Sequence, residues 1–349
     1  MRELAPQSKD GDFVRPTYAF DGTIGEPNFP IESGRYHMFV GNPCPWCHRV
    51  LLALAVTGLD RHIGFTWLVA DPERASRGGW VFDDRDPIFG CRDLREVYDL
   101  LSPGYRGRCT APLLVDTKAR RIVCNESSLI MRNLARLDME GGTGVDLYPA
   151  DLEMEIVAWN DRIYHAVNNG VYRSGFATSQ PAYDKAQQEL YATLDELEER
   201  LAKQRFVCGD RITEADLRLF PTIARFDAVY APLFKCGRRR VADYPHLAAW
   251  AADVQQIRIP GDGLQIPDCL DLEGARQSYH TSLFPLNPSG IVPSAPAAAD
   301  LALHSLDPGR GPRGSLGDVF HLKRRAGVAR AVPARAAPAV AAADGGGQS

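Results

Sequence analysis

The sequence has no apolar run near the ~18 residues that a membrane-spanning helix requires. It has no excess of positive charge either. The formal net charge is −4 at pH 7, so no global basic field is present to hold nucleic acid or anionic lipid. The first stretch, "MRELAPQSKDGDFVRP", lacks the apolar core of a signal peptide, and a cytoplasmic location is expected. No internal repeat is visible. One CxxC occurs, at Cys44 and Cys47. Neither a second CxxC nor an HxxxH accompanies it, and a zinc site needs a further pair of ligands at matching spacing. The eight cysteines are scattered, and a reducing cytosol keeps such cysteines as thiols rather than as a disulfide scaffold.

What is present is a chain of 349 residues, 45% apolar and 24% charged, enough for roughly two domains. Residues 1–32, rich in Gly, Pro and charge, read as a leader wrapped on the surface. A strand is expected over 35–41 and a helix over 45–59. Val50, Leu51, Leu54 and Ala55 keep helical spacing there, and Gly58 suits the position just past the helix end. A second strand follows over 63–69. After a long connection, 109–116 and 121–137 read as strand, turn, strand and helix, the helix starting near Asn125 or Glu126. This β-α-β…β-β-α order is that of a thioredoxin-like domain, placed at 33–140. Pro112 opens its third strand, as a strand-initial Pro is allowed to do. In that fold the Ala111–Pro112 bond is expected to be cis, an inference from the fold and not from spacing.

From residue 151 the periodicity turns helical, over 151–172, 180–204, 212–230 and 244–256, giving an all-α domain at 151–262. The charges along 180–204 read as a solvated face. Thr213 and Asp216 form a capping-box pattern, and Pro221 is expected to kink its helix. Residues 263–297 carry Pro and Gly yet stay apolar, and read as an ordered extension packed on the body. Residues 298–349, dominated by Ala, Gly, Arg and Pro, cannot bury a core and read as a disordered tail.

Cys44 follows a strand and precedes a helix with Pro45 at its first position, which Pro tolerates well. Unpaired amides and the helix dipole favour an anion at that point, so the thiol should ionise well below ~8.5. Cys47 lies one turn inside and is the more shielded of the two. A dithiol oxidoreductase would attack with Cys44 and resolve with Cys47. A thiol-transfer enzyme would attack a sulfur conjugate with Cys44 alone. Two buried structural thiols would leave a Cys before Pro at a helix start unexplained. A thioredoxin-like domain also predicts a small-thiol site. The backbone at Ala111, before Pro112, can pair with an extended peptide-like ligand. Ser127 and the helix-start amides suit a carboxylate, and Glu126 suits an ammonium group. Simple helix capping explains the same residues.

The motifs "CPWCHR" (44–49), "GGWVF" (78–82), "CTAPLL" (109–114), "NESSLI" (125–130), "NNGVYRSGFATSQ" (168–180), "TEADLRLFPTIARFDAVY" (213–230), "FKCGRRRVADYPHL" (234–247) and "NPSGIVP" (287–293) together resemble the Xi-class glutathione transferases, the glutathionyl-hydroquinone reductases. The resemblance runs from about residue 33 to 297. It implies an α/β thioredoxin-like N-terminal domain, an all-α glutathione-transferase-type C-terminal domain, a homodimer, and no metal or flavin. The implied activity removes a thiol from S-conjugated hydroquinones. Cys44 attacks the thioether sulfur, Tyr172 protonates the leaving ring carbon, and a second thiol releases the first as a disulfide. Trp80 matches the tryptophan packed on the thiol. The quinol ring needs aromatic walls, which Trp46, Phe176 and Tyr230 can supply. Two departures stand out. Cys47 occupies a position where the family has Ala or Thr, which leaves internal resolution, or mycothiol in place of glutathione, open. Paired tyrosines of the family's extension appear here as Tyr279 and His280. A glutaredoxin-like dithiol oxidoreductase and a non-catalytic ligand-binding protein of the same fold remain as alternatives.

Overall fold

A computed structural model describes residues 6–76, 78–294 and 308–323. Its centre is strand β1 (Tyr36–Gly41), buried at every position, His37 included, as a strand covered on both faces must be. Helix α1 (Pro45–Thr57) follows. It is buried along its whole length and is closed by Gly58 in the left-handed conformation, whose amide meets the Ala55 and Leu54 carbonyls. Strand β2 (Ile63–Ala70) returns parallel to β1, and β3 (Trp80–Val81) lies antiparallel to β2. After helix α2 (Leu94–Leu101), strands β4 (Leu113–Asp116) and β5 (Arg121–Cys124) complete the five-stranded order β3-β2-β1-β4-β5. Helix α3 (Ser127–Arg136) packs beside α1, and α2 contacts β3 and β5. This is the thioredoxin-like arrangement, and the Ala111–Pro112 peptide is cis.

A short strand, β6 (Val145–Asp146), leads into the helical part. The amphipathic stretch expected as one helix over 151–172 is divided. Helix α4 (Glu153–Arg162) passes into a π-helical turn (Ile163–Asn168) and then into α5 (Gly170–Phe176). Long α6 (Gln180–Leu201) and α7 (Glu214–Arg225) follow, and α7 packs directly on α1. The helix runs through Pro221 without a break; the irregularity comes later, as a second π-helical turn (Phe226–Tyr230) before the short α8 (Ala231–Leu233). Helix α9 (Pro245–Gln255) and helix α10 (Leu272–Ser282) complete the body. Among the described residues no helix is long and apolar enough to cross a membrane.

The tail differs from expectation over residues 308–323. Helix α11 (Leu316–Val319) and strand β7 (His321–Leu322) return to the body, where β7 pairs with β6. Val319 and Phe320 are buried, and Ile212 donates its amide to the Val319 carbonyl at 2.7 Å. Upstream, Arg310 donates to the carbonyls of Leu201, Gln204 and Arg205. A few apolar residues within an Ala, Gly and Arg background suffice to dock the segment, and average composition conceals them. The remainder of the expected tail lies outside the described residues.

The capping box of α7 is a structural anchor. The fully buried Asp216 carboxylate accepts from the amides of Val207 (2.9 Å) and Thr213 (3.0 Å) and from the Trp250 indole (3.0 Å). Replacing it with Ala leaves three buried donors unpaired. Asp216→Ala is expected to lower unfolding stability by about 3 kcal/mol, measured by chemical denaturation; an unchanged midpoint contradicts this anchoring role.

Candidate active site

Cys44 is the N-cap of α1, and its sulfur lies 3.6 Å from the Ala111 carbonyl. It keeps 9% exposure, whereas Cys47 has none, so Cys44 is the less shielded of the two residues. Burial alone would raise the Cys44 pKa. The Cys47 thiol, the amides of Cys47 and Trp46 and the Arg225 charge outweigh it and bring the pKa down to about 7. Burial and the adjacent Cys44 push Cys47 well above the ordinary thiol value. One sulfur is therefore poised as a thiolate, and its neighbour holds the proton.

The Arg225 side chain is wholly buried at the end of α7. It donates to the carbonyls of Asn42 (2.8 Å), Pro43 (3.1 Å) and Pro221 (3.0 Å), and to His48 Nδ1 (2.9 Å). It thus ties the helical part to the loop just before Cys44. His48, desolvated beside this cation, stays neutral, so no second positive charge competes with Arg225. Asn42 makes a reciprocal pair with the Asp271 backbone, donating at 2.7 Å and accepting at 2.9 Å. That pair fixes the start of α10 beside the same loop.

Trp80 lies against the end of β1. A Cβ at Gly41 would come within 2.2 Å of the Trp80 ring, so only glycine permits this approach. Glu126 caps α3, accepting from the Ser128 and Leu129 amides, and pairs with Arg49 at 3.5 Å. Burial opposes its ionisation, but Arg49, Ser128 and those amides hold its carboxyl below the usual range. The Ser127 hydroxyl accepts from Arg49 at 3.1 and 2.7 Å, which leaves its own proton to donate. Arg49 thus joins Glu126 and Ser127 at the start of α3, and Ala111, before Pro112, lies against the Cys44 sulfur.

Aromatic rings form the other end. Tyr172 stacks on Trp46 (6.3 Å between centroids) and on Phe176 (6.3 Å), and tilts against Tyr230 (6.0 Å). Its hydroxyl lies 2.7 Å from that of Tyr279, which is 3.4 Å from the Tyr230 hydroxyl. Burial pushes Tyr172 and Tyr279 well above the ordinary phenol value and raises Tyr230. All three stay protonated at neutral pH. The Cys44 charge acts on both Tyr172 and Tyr230. His280 stands apart: its Nδ1 donates to the Arg276 carbonyl at 3.1 Å, and its Nε2 is buried without a hydrogen-bond partner among the described residues.

The chain's N-terminal half matches the model of the glutathione S-transferase N-terminal domain over residues 43–137, and 180–253 match that of the C-terminal domain. The glutathionyl-hydroquinone reductase PcpF of Sphingobium chlorophenolicum is 42% identical over 297 residues, covering 83% of this chain and 92% of its own. The chain belongs to the Xi-class glutathione transferases. The crystal structure of glutathione S-transferase Xi from Phanerochaete chrysosporium superposes with a TM-score of 0.76 at 38% identity, covering 83% of this chain and 95% of that one. The glutathione-bound structure of YqjG from Escherichia coli gives 0.71 at 36% identity, covering 83% and 91%.

Within this Xi-class chain, Tyr279 joins the tyrosine cluster through the placement of α10, while its neighbour His280 spends its N–H on its own helix. Arg225, Arg49, Asn42 and the leader residues Phe13 and Arg15 were not read from the sequence. Arg49, directly after "CPWCH", carried the clearest signal, because it falls on the inward face of a wholly buried helix. Arg225 ends a helix 181 residues beyond Cys44, and no local pattern joins the two.

Removing the Arg225 cation should weaken the thiolate. Arg225→Met is expected to raise the Cys44 titration midpoint by about one pH unit, read as ultraviolet thiolate absorbance against a Cys44→Ser blank. An unchanged midpoint assigns the low value to the helix amides and Cys47 alone.

Proposed function

We propose that the protein is a thiol-dependent oxidoreductase that removes glutathione from S-conjugated hydroquinones, acting as a homodimer in the cytoplasm. The observation that carries the reading is the juxtaposition of an ionisable Cys44 with three protonated tyrosine hydroxyls inside an aromatic enclosure. PcpF and YqjG are both named glutathionyl-hydroquinone reductases, which supports it.

Cys44 attacks the thioether sulfur and forms a mixed disulfide with the thiol. Tyr172, within the cluster, delivers the proton to the sulfur-bearing ring carbon, and the electron pair of the carbon–sulfur bond passes into the ring as that bond breaks. A second thiol attacks the mixed disulfide, leaves as the symmetric disulfide and restores the thiolate. The two sulfur atoms are oxidised and the ring is reduced, so the electrons balance. Trp80, Ala111 and Pro112 hold the thiol, and Trp46, Phe176 and Tyr230 wall the ring. Glutathione carries the free α-amino and α-carboxylate groups that Glu126 and Ser127 suit; mycothiol carries neither. His280 has no part in this scheme.

One observation favours a second route for the last step. Cys47 lies beside Cys44 and interacts with its thiol, which supports a route in which Cys47 displaces glutathione and leaves a Cys44–Cys47 disulfide for reduction by a further thiol. In assays of one conjugated hydroquinone series against glutathione and mycothiol, Cys44→Ser is expected to abolish turnover. Cys47→Ser should slow only release of the mixed disulfide. Equal loss in both variants, with protein-disulfide turnover in the wild type, points instead to a dithiol oxidoreductase; thiol binding without turnover of any conjugate points to a non-catalytic protein.

The pH dependence follows from the two ionisations. The thiolate is lost as pH falls through about 7, and the tyrosine acid survives well past its ordinary range. The turnover profile is expected to rise with a midpoint near 7 and to stay flat through mild alkalinity; a fall there would show a tyrosine already losing its proton.

A further inference from the structure

The leader is not a passive wrap. Residues 7–13 are clamped to the junction of α5 and α6. Gln7 donates to the Phe176 carbonyl at 2.7 Å, Asp12 pairs with Arg173 at 3.0 Å, Ser179 donates to the Asp10 carbonyl at 2.6 Å, and the Thr178 amide donates to the Gly11 carbonyl at 3.0 Å. Gly11 has φ +86°, and a Cβ there would meet Thr178 Oγ1 at 2.8 Å, so the clamp requires glycine. Phe13 is buried against Phe176 (5.7 Å) and Tyr172 (6.3 Å).

This clamp delivers Arg15 to the aromatic end of the site. Its guanidinium lies 4.5 Å from the Trp46 ring centre, 4.9 Å from that of Tyr172 and 5.3 Å from that of Phe13. Nε is held by Asn169 Oδ1 at 2.7 Å. Nη2 is shut off from solvent, and among the described residues it has no hydrogen-bond partner. Arg15 also forms no ion pair with a carboxylate there, and the Arg108 charge acts on it repulsively. A cation fixed by three aromatic contacts and one hydrogen bond, with a buried donor still free, is built to receive an oxygen that the protein does not provide.

Resting on the hydroquinone reading above, we propose that Arg15 binds the ring oxygen of the conjugated hydroquinone and stabilises the negative charge that gathers on it as the carbon–sulfur bond breaks. The chemistry calls for such a group. If the sulfur-bearing carbon keeps its aromatic form, the bond's electron pair is stranded on carbon. Once the tyrosine cluster has moved a proton from the ring hydroxyl to that carbon, the ring is a ketone. Attack by the Cys44 thiolate on the thioether sulfur then forms the disulfide bond, breaks the carbon–sulfur bond and drives the electron pair onto the carbonyl oxygen. The leaving group is the hydroquinone monoanion, which takes a proton from water on release. A fixed donor aimed at a developing oxyanion is among the strongest contributions a site can make.

The test compares two reactions of the same thiolate. Dethiolation of a glutathionyl hydroquinone expels an oxyanion; exchange with the mixed disulfide of glutathione and mercaptoethanol expels a thiolate and needs no ring contact. Arg15→Gln is expected to lower the dethiolation rate by about 100-fold and to leave disulfide exchange near the wild-type rate. The loss should shrink on chlorinated hydroquinones, whose oxyanions need less help, and Arg15→Lys should recover part of it. Equal loss in both reactions overturns the proposal, because it assigns Arg15 to the thiol or to general packing. Unchanged dethiolation in Arg15→Gln also overturns it. Wild-type protein that exchanges disulfides but turns over no conjugate overturns the hydroquinone reading, and this proposal with it.

Discussion

The structure depends on keeping one sulfur ionised where water hardly reaches. A buried thiolate is unfavourable by itself, and burial raises the pKa of Cys47, Cys91, Cys124, Cys208, Cys236 and Cys269. At Cys44 the sign reverses because the helix-start amides, the Cys47 thiol and Arg225 act together. The cation comes from the helical part and the amides from the thioredoxin-like part. Packing α7 on α1 is therefore a condition of the chemistry as well as of the fold, and neither part alone would supply all three contributions.

The same burial has the opposite use among the tyrosines. Desolvation favours the neutral phenol, so the enclosure that threatens the thiolate preserves the acid. The two sides are joined by Trp46, which follows Cys44 by two positions, stacks on Tyr172 and lies within 5 Å of the guanidinium groups of both Arg15 (4.5 Å) and Arg49 (4.7 Å). Four separated segments converge here: the leader through Phe13 and Arg15, α5 through Tyr172, the second π-helical turn through Tyr230, and the extension through Tyr279. Each π-helical turn lies beside one of these tyrosines, and such turns recur at functional sites.

Much of the N-terminal fold was legible because its signals are local. Aromatic and β-branched strand composition, the Pro at the start of α1, Gly58 beyond its end and Glu126 at the start of α3 each report on their own neighbours. The placement of Cys44 at a helix start was legible for the same reason. Tyr172, Trp80 and the hydroquinone chemistry came from resemblance, since no spacing rule distinguishes a catalytic tyrosine from a core one. The division of 151–172 by a π-helical turn was not legible, because hydrophobic periodicity does not resolve one extra residue per turn. Arg225 and Arg15 were missed because their meaning lies in contacts 181 and 29 residues away from Cys44 in the chain. His280 is buried with Nδ1 turned to the Arg276 carbonyl of its own helix; exposure and partner, not residue type, decide what an imidazole does. The docked segment at 308–323 was hidden by the composition around it.

The claim on which all of this rests is that Cys44 attacks sulfur and not the ring. One equivalent of a glutathionyl hydroquinone, mixed with reduced protein and quenched in acid without added thiol, puts that to a direct test by mass spectrometry of the Cys44 peptide. The account predicts free hydroquinone in solution and glutathione carried by the protein, either on Cys44 or already released by a Cys44–Cys47 disulfide. A Cys44 peptide bearing the aromatic ring, or one unmodified beside intact conjugate, contradicts it.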